Sequence, residues 1–160
     1  MTTASTDTEE LKRHAERMKK KIGEQRGPTK VRIERNMLVK FAQAIGETNP
    51  IYLDEDYAKT TRHGALIAPP TYASYFLTQL AESMYDLDTP GFRSLHSDDV
   101  GEESRPIRVG DEITATARYT DVRVHEGRSR SILFQTVETT LTNQHDERVA
   151  SARMVVVTFK

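Results

Sequence analysis

AIGETNPIYLDEDYAKTTRHGALIAPPT, residues 44–71, sets the reading of the whole chain. It begins with a tight turn, Gly46-Glu47-Thr48-Asn49-Pro50. The glycine stops the helix before it, the asparagine suits the turn and the proline its exit. Asp54 or Asp56 is placed to cap the short polar helical run that follows, which ends near Gly64. Gly64-Ala65-Leu66-Ile67-Ala68-Pro69-Pro70 then opens a second helix.

Working outward, two apolar helices flank this stretch. Upstream, Leu38, Phe41, Ala42 and Ile45 share one helical face, with Asn36 as the expected N-cap. Downstream, Tyr72, Tyr75, Phe76, Gln79, Leu80 and Met84 step by three and four, so residues 72–84 are expected to form the buried central helix. Residues 1–8 are small and polar and are expected to be disordered. Residues 9–22 are strongly helical in propensity but carry only Leu11, Met18 and Ile22 as a thin apolar stripe, which suits a helix lying on a surface. Lys19-Lys20-Lys21 reads as a solvated helix end. Gly23 and Gly27-Pro28 are expected to break the chain before a short strand at 29–34.

The C-terminal half changes period. Residues 113–119, 131–142 and 149–159 alternate or are rich in β-branched side chains, and polar turns at Gly110-Asp111, 125–127 and 143–146 separate them. A three-stranded antiparallel meander is expected. Helices first and long strands after them make the class α+β, a sheet packed on one buried helix. The expected division is a flexible start with a surface helix at 1–22 and one domain at 23–160.

Composition narrows the functions. The chain has 160 residues, and 23 Lys plus Arg against 24 Asp plus Glu leave a net charge of −1, which argues against nucleic acid as a partner. There is no cysteine, so disulfides, thiolate metal sites and a cysteine nucleophile are excluded. No stretch approaches a membrane-spanning length, and the polar N-terminus has no signal-peptide core, so a soluble cytoplasmic protein is expected. No His, Asp or Glu cluster has metal-ligand spacing and no glycine-rich phosphate loop is present. No cofactor is expected.

Three segments resemble the MaoC-like family of hot-dog proteins, which includes (R)-specific enoyl-thioester hydratases and 3-hydroxyacyl-thioester dehydratases. Gly46-Glu47-Thr48-Asn49-Pro50-Ile51-Tyr52 resembles the family's Gly-Asp-x-Asn-Pro, aliphatic residue, His. Residues 64–69 resemble the loop that starts its central helix, and Arg105-Pro106-Ile107-Arg108-Val109-Gly110-Asp111 its Arg-Pro approach to the long strands. The resemblance covers roughly residues 20 to 160. It implies a single hot-dog domain, a dimer formed by edge-to-edge strand pairing, and a coenzyme A or acyl-carrier thioester as ligand. The Ala68-Pro69-Pro70 form and the N-terminal extension look closest to the N-terminal half of two-hot-dog dehydratases, which often lacks catalytic residues and pairs with an active half.

Hydration of an unsaturated thioester needs a base for water, an acid for the α-carbon and donors for the enolate-like oxygen. In the family an Asp and a His hold the water, and a backbone N–H at the start of the central helix faces the thioester carbonyl. By resemblance the catalytic positions here are Glu47, Asn49 and Tyr52, and substrate contacts fall to Ala68, Thr71, Tyr72 and Tyr75. Pro69 and Pro70 have no N–H, which leaves Ala68, Thr71 or Tyr72 as donors. Glu47 extends the carboxylate by one methylene, and a misplacement of about 1 Å costs on the order of a hundredfold. Tyr52 is a poor base, with roughly 0.1% ionised at pH 7 on the reference scale.

Plainer readings stand beside these. Glu47 reads equally as an exposed turn carboxylate, Asn49 as a turn acceptor and Tyr52 as a packing residue. Tyr72 and Tyr75 line an acyl tunnel or simply the core. His63, His96 and His125 read as loop histidines, and Arg62, Arg105 and Arg108 offer only a weak phosphate-binding signal. Three functions follow. The first is a subunit that binds the acyl chain and completes a heteromer with a catalytic MaoC-like chain. The second is a self-sufficient homodimeric hydratase using Glu47. The third is a non-catalytic acyl-thioester binding module.

Overall fold

The computed structural model describes residues 3–85 and 91–160. Helix α1 spans Thr3–Lys19 and strand β1 Gln25–Arg32. Helix α2 (Arg35–Ala44), a 3-10 turn (Pro50–Tyr52), α3 (Glu55–Thr60) and α4 (Tyr72–Glu82) follow. Strands β2 (Arg93–Glu103), β3 (Glu112–Glu126), β4 (Ser131–Thr142) and β5 (Arg148–Phe159) complete the chain. One antiparallel sheet in the order β1-β3-β4-β5-β2 holds all five strands. From β1 at one edge the chain crosses by way of α4 to β2 at the other, then returns to β3. No helix among the described residues is long and apolar enough to cross a membrane.

The expected meander is β3–β4–β5, where alternation puts Ile113, Ala115, Ala117 and Tyr119 of β3 on the buried face. Beneath α4 the core has two parts. Leu66, Tyr72, Leu77, Ile107 and Leu141 fill one, and Tyr119, Leu133, Val137 and Met154 fill the other.

Several expectations need correction. Helix α1 begins at Thr3, inside the stretch expected to be disordered, and its narrow apolar stripe packs against the sheet. Leu11, Ala15 and Met18 are buried with the sheet and the end of α4, together with His14, whereas Ile22 is exposed beyond the helix end. Gly27-Pro28 does not precede β1 but lies within it, at an irregularity between Arg26 and Thr29. Asn36 is not a cap, because α2 starts at Arg35 with Glu34 at the N-cap. Ile45 is exposed, at the C-cap just past the end of α2. Along α4 the buried stripe is Tyr72, Ala73, Leu77 and Ala81, rotated from the aromatic stripe, and Tyr75 is exposed. Strand β2 was not foreseen.

Segments far apart in sequence are joined beside the start of α4. Ala68 N–H donates to the Ile107 carbonyl (2.8 Å) and Val109 N–H to that of Leu66 (3.0 Å), around an Ile67–Arg108 bridge. Two of the family-like segments are therefore bonded to one another.

Candidate functional site

The 46–52 turn is built by its own side chains. Glu47 Oε1 accepts from the backbone N–H of Thr48 (2.8 Å) and of Asn49 (3.0 Å). Asn49 Oδ1 accepts from Ile51 N–H (3.1 Å) and so caps the 3-10 turn that carries Tyr52. Asp54 caps α3, accepting from Asp56 and Tyr57 N–H, both at 3.0 Å. The plainer reading of Asn49 fits these bonds, and Oε1 of Glu47 helps hold the turn.

Tyr52 and Asn49 line a cavity of about 320 Å³, together with Ala68, His63, Glu103 and Arg105. A second cavity of about 320 Å³ adjoins it, sharing Pro70 and Glu103, and runs between Thr71, Ser74 and Leu77 of the α4 side and Asp99 and Gly101 of β2. Together they form a cleft along the start of α4. Partial burial raises the pKa of the Tyr52 phenol, and the nearby Glu47 and Glu103 carboxylates raise it further. The Tyr52 phenol therefore keeps its proton at neutral pH. Glu103 keeps much of its surface open, but loss of water around its carboxyl group in the cleft raises its pKa. It makes no ion pair among the described residues.

Of the three N–H groups considered as donors, Ala68 is bonded to Ile107 and Tyr72 to the Pro69 carbonyl (2.8 Å). Thr71 N–H makes no hydrogen bond among the described residues, and its side chain does not cap the helix. Tyr72 and Tyr75 do not share a tunnel with these residues. Tyr72 is buried against Phe41 and Phe76, whereas Tyr75 lies in a separate apolar groove of about 370 Å³ with Met37, Val31 and Phe76.

His63, read as a loop histidine, lines the cleft beside Tyr52, and its Nε2 accepts from Arg62 Nε (3.1 Å). Arg62 and Arg105 also line it, with Arg105 paired to Glu147 (3.2 Å). Glu103 had no sequence signal, because it lies on the strand that the sequence did not reveal.

Against known proteins, the sequence profile of the FAS1-like dehydratase domain region matches residues 20–152. The chain belongs to this MaoC-like hot-dog family. This FAS1-like chain is 30% identical to a UPF0336 protein of Thermobifida fusca over 135 residues, covering 81% of this chain and 86% of that one. It spans less than two thirds of the length of three Streptomyces UPF0336 proteins that it also matches, 63–65%. Among solved structures, a MaoC-like dehydratase superposes with a TM-score of 0.74 at 23% identity, over 89% of this chain and 43% of that one. One chain of the 3R-hydroxyacyl-ACP dehydratase HadBC complex from Mycobacterium tuberculosis gives 0.70 at 20% identity, over 86% and 96%. At these identities the likeness establishes the fold, and the hot-dog architecture of the FAS1-like chain is the one its three motifs implied.

Proposed function

We propose that this FAS1-like chain is an acyl-thioester-binding subunit of a hydratase or dehydratase and leaves the chemistry to a separate MaoC-like chain that carries an intact Asp and His. One observation carries the reading: the cleft presents Glu47 and Tyr52 where the family resemblance calls for Asp and His. One oxygen of Glu47, Oε1, accepts from the amides of Thr48 and Asn49, and Tyr52, where the family has His, is a phenol whose pKa is raised. A phenol that holds its proton this firmly does not serve as a general base at neutral pH. The open N–H of Thr71 at the start of α4 supports a role in holding a thioester carbonyl, with Ala68 shaping the loop behind it. That HadBC is a complex fits a heteromeric arrangement. The likeness to the N-terminal half of two-hot-dog dehydratases belongs to the same proposal, as do a coenzyme A or acyl-carrier ligand and a cytoplasmic location.

The test is hydration of 2-enoyl-CoA thioesters by the purified chain, beside the Glu47→Asp/Tyr52→His double variant, with binding followed by calorimetry. Binding without turnover by the wild type, and turnover gained by the double variant, is the expected result. Turnover by the wild type that disappears in Glu47→Gln would overturn the reading in favour of a self-sufficient enzyme.

A further inference from the structure

The cleft along α4 has a floor of small side chains that stops at a large one. On β5 the residues facing α4 are, by alternation, Ala150, Ala152, Met154 and Val156, and all four belong to the core beneath it. Ala150 and Ala152 line the cleft together with Ala73 and Leu77 of α4, and Gly101 of β2 pairs with Ala152. The carboxylates of Asp99 and Glu102 lie on its exposed β2 rim. The floor itself is apolar and smooth.

The same trough between α4, β5 and β2 opens again further on. A cavity of about 200 Å³ lies there, lined by Met154, Val156, Tyr85, Glu82, Ser94 and His96. Met154 stands where the first cavity ends and the second begins. It is buried (3%), and its main-chain carbonyl accepts from the Tyr85 hydroxyl (2.8 Å), which ties this point of β5 to the segment just past α4.

With a thioester carbonyl at the Thr71 N–H, the floor runs along α4 from Thr71 to Leu77, about 9 Å. An extended alkyl chain gains roughly 1.3 Å per carbon, so about seven carbons beyond the carbonyl bring its end to Met154. We propose, on the acyl-thioester reading above, that Met154 is the stop that sets the longest acyl chain this cleft takes. The ligand is then a straight-chain acyl thioester of about eight carbons or fewer. Each methylene laid on the floor strengthens binding by about fourfold, and a methylene that cannot pass Met154 stays in water and adds nothing.

The experiment is calorimetric binding of saturated acyl-CoA thioesters of four to twelve carbons, which have no double bond to hydrate. The proteins are the wild type, Met154→Ala and Ala152→Leu, with circular dichroism to check the fold. Wild-type affinity is expected to rise about tenfold for each two carbons up to about C8 and then to level off. Met154→Ala joins the two cavities, so its affinity is expected to keep rising to about C12. Ala152→Leu fills the floor from the open cleft and leaves the core intact, so it decides the matter even if Met154→Ala fails to fold. It is expected to level off by about C6 and to bind C8 about tenfold more weakly than the wild type. Wild-type affinity that climbs past C10, a folded Met154→Ala that still levels off at C8, or Ala152→Leu that binds C8 like the wild type overturns the proposal. So does the absence of binding at every length. Hydration of 2-enoyl-CoA by the wild type with the C8 limit kept overturns the non-catalytic reading and supports the stop at Met154. Binding without turnover that ignores chain length does the reverse.

Discussion

Tyr72 and Tyr119 are both buried tyrosines, 3% and 1% exposed, yet removing their hydroxyls should move stability in opposite directions. The Tyr72 ring packs edge-on against Phe41 (5.0 Å) and Phe76 (5.3 Å), while its hydroxyl has no hydrogen-bond partner among the described residues. A buried hydroxyl without a partner costs about 1–3 kcal/mol. Tyr72→Phe keeps the ring contacts and removes that cost, so it should stabilise the protein by about 1 kcal/mol and raise Tm by roughly 2–4 °C. Tyr119 donates instead to Gln135 Oε1, and Gln135 Nε2 donates to Thr158 Oγ1 (3.0 Å). Ser94 extends this network to β2, so it ties four neighbouring strands together. Tyr119→Phe leaves a fully buried amide short of a donor and should destabilise by about 1–3 kcal/mol. Thermal and urea unfolding of both variants against the wild type is the assay. A fall in stability for Tyr72→Phe would refute the reasoning, because it would mean that the hydroxyl makes a bond worth keeping.

Two further outcomes follow from the same physics. Gly27 has φ +94, and a Cβ there would lie 2.5 Å from the Ala115 carbonyl oxygen, so Gly27→Ala should lower stability by about 2 kcal/mol or more, read from its urea midpoint. Burial raises the phenol pKa values of Tyr72 and Tyr85, so above pH of about 10 the unfolded chain releases protons that the folded chain retains. That stability is complete below the unfolded value and is lost as pH rises towards the folded ones. Urea titrations from neutral pH upward should show the fall, with a shallower slope in Tyr72→Phe.

Local chemistry alone determined much of this protein. The Gly46–Pro50 turn, the Asp54 cap, the helix after Pro70 and strands β3 to β5 follow from caps, turn residues and a period of two, all of which act between near neighbours. The departure of Glu47 and Tyr52 from the pattern the family resemblance sets was also legible in the sequence itself. Tertiary structure alone decided the rest. Five of the eleven residues of β2 are charged, and no local preference makes such a segment a strand; it is one because β5 offers a row of backbone partners and an edge strand needs bonds on one side only. Glu103 joins the cleft by the same route. The sheet extends past the end of α4, so α1 is drawn onto it and Leu11, Ala15 and Met18 are buried. On α4, the sheet buries Tyr72, Ala73, Leu77 and Ala81, takes Phe76 and Leu80 only in part and leaves Tyr75 exposed.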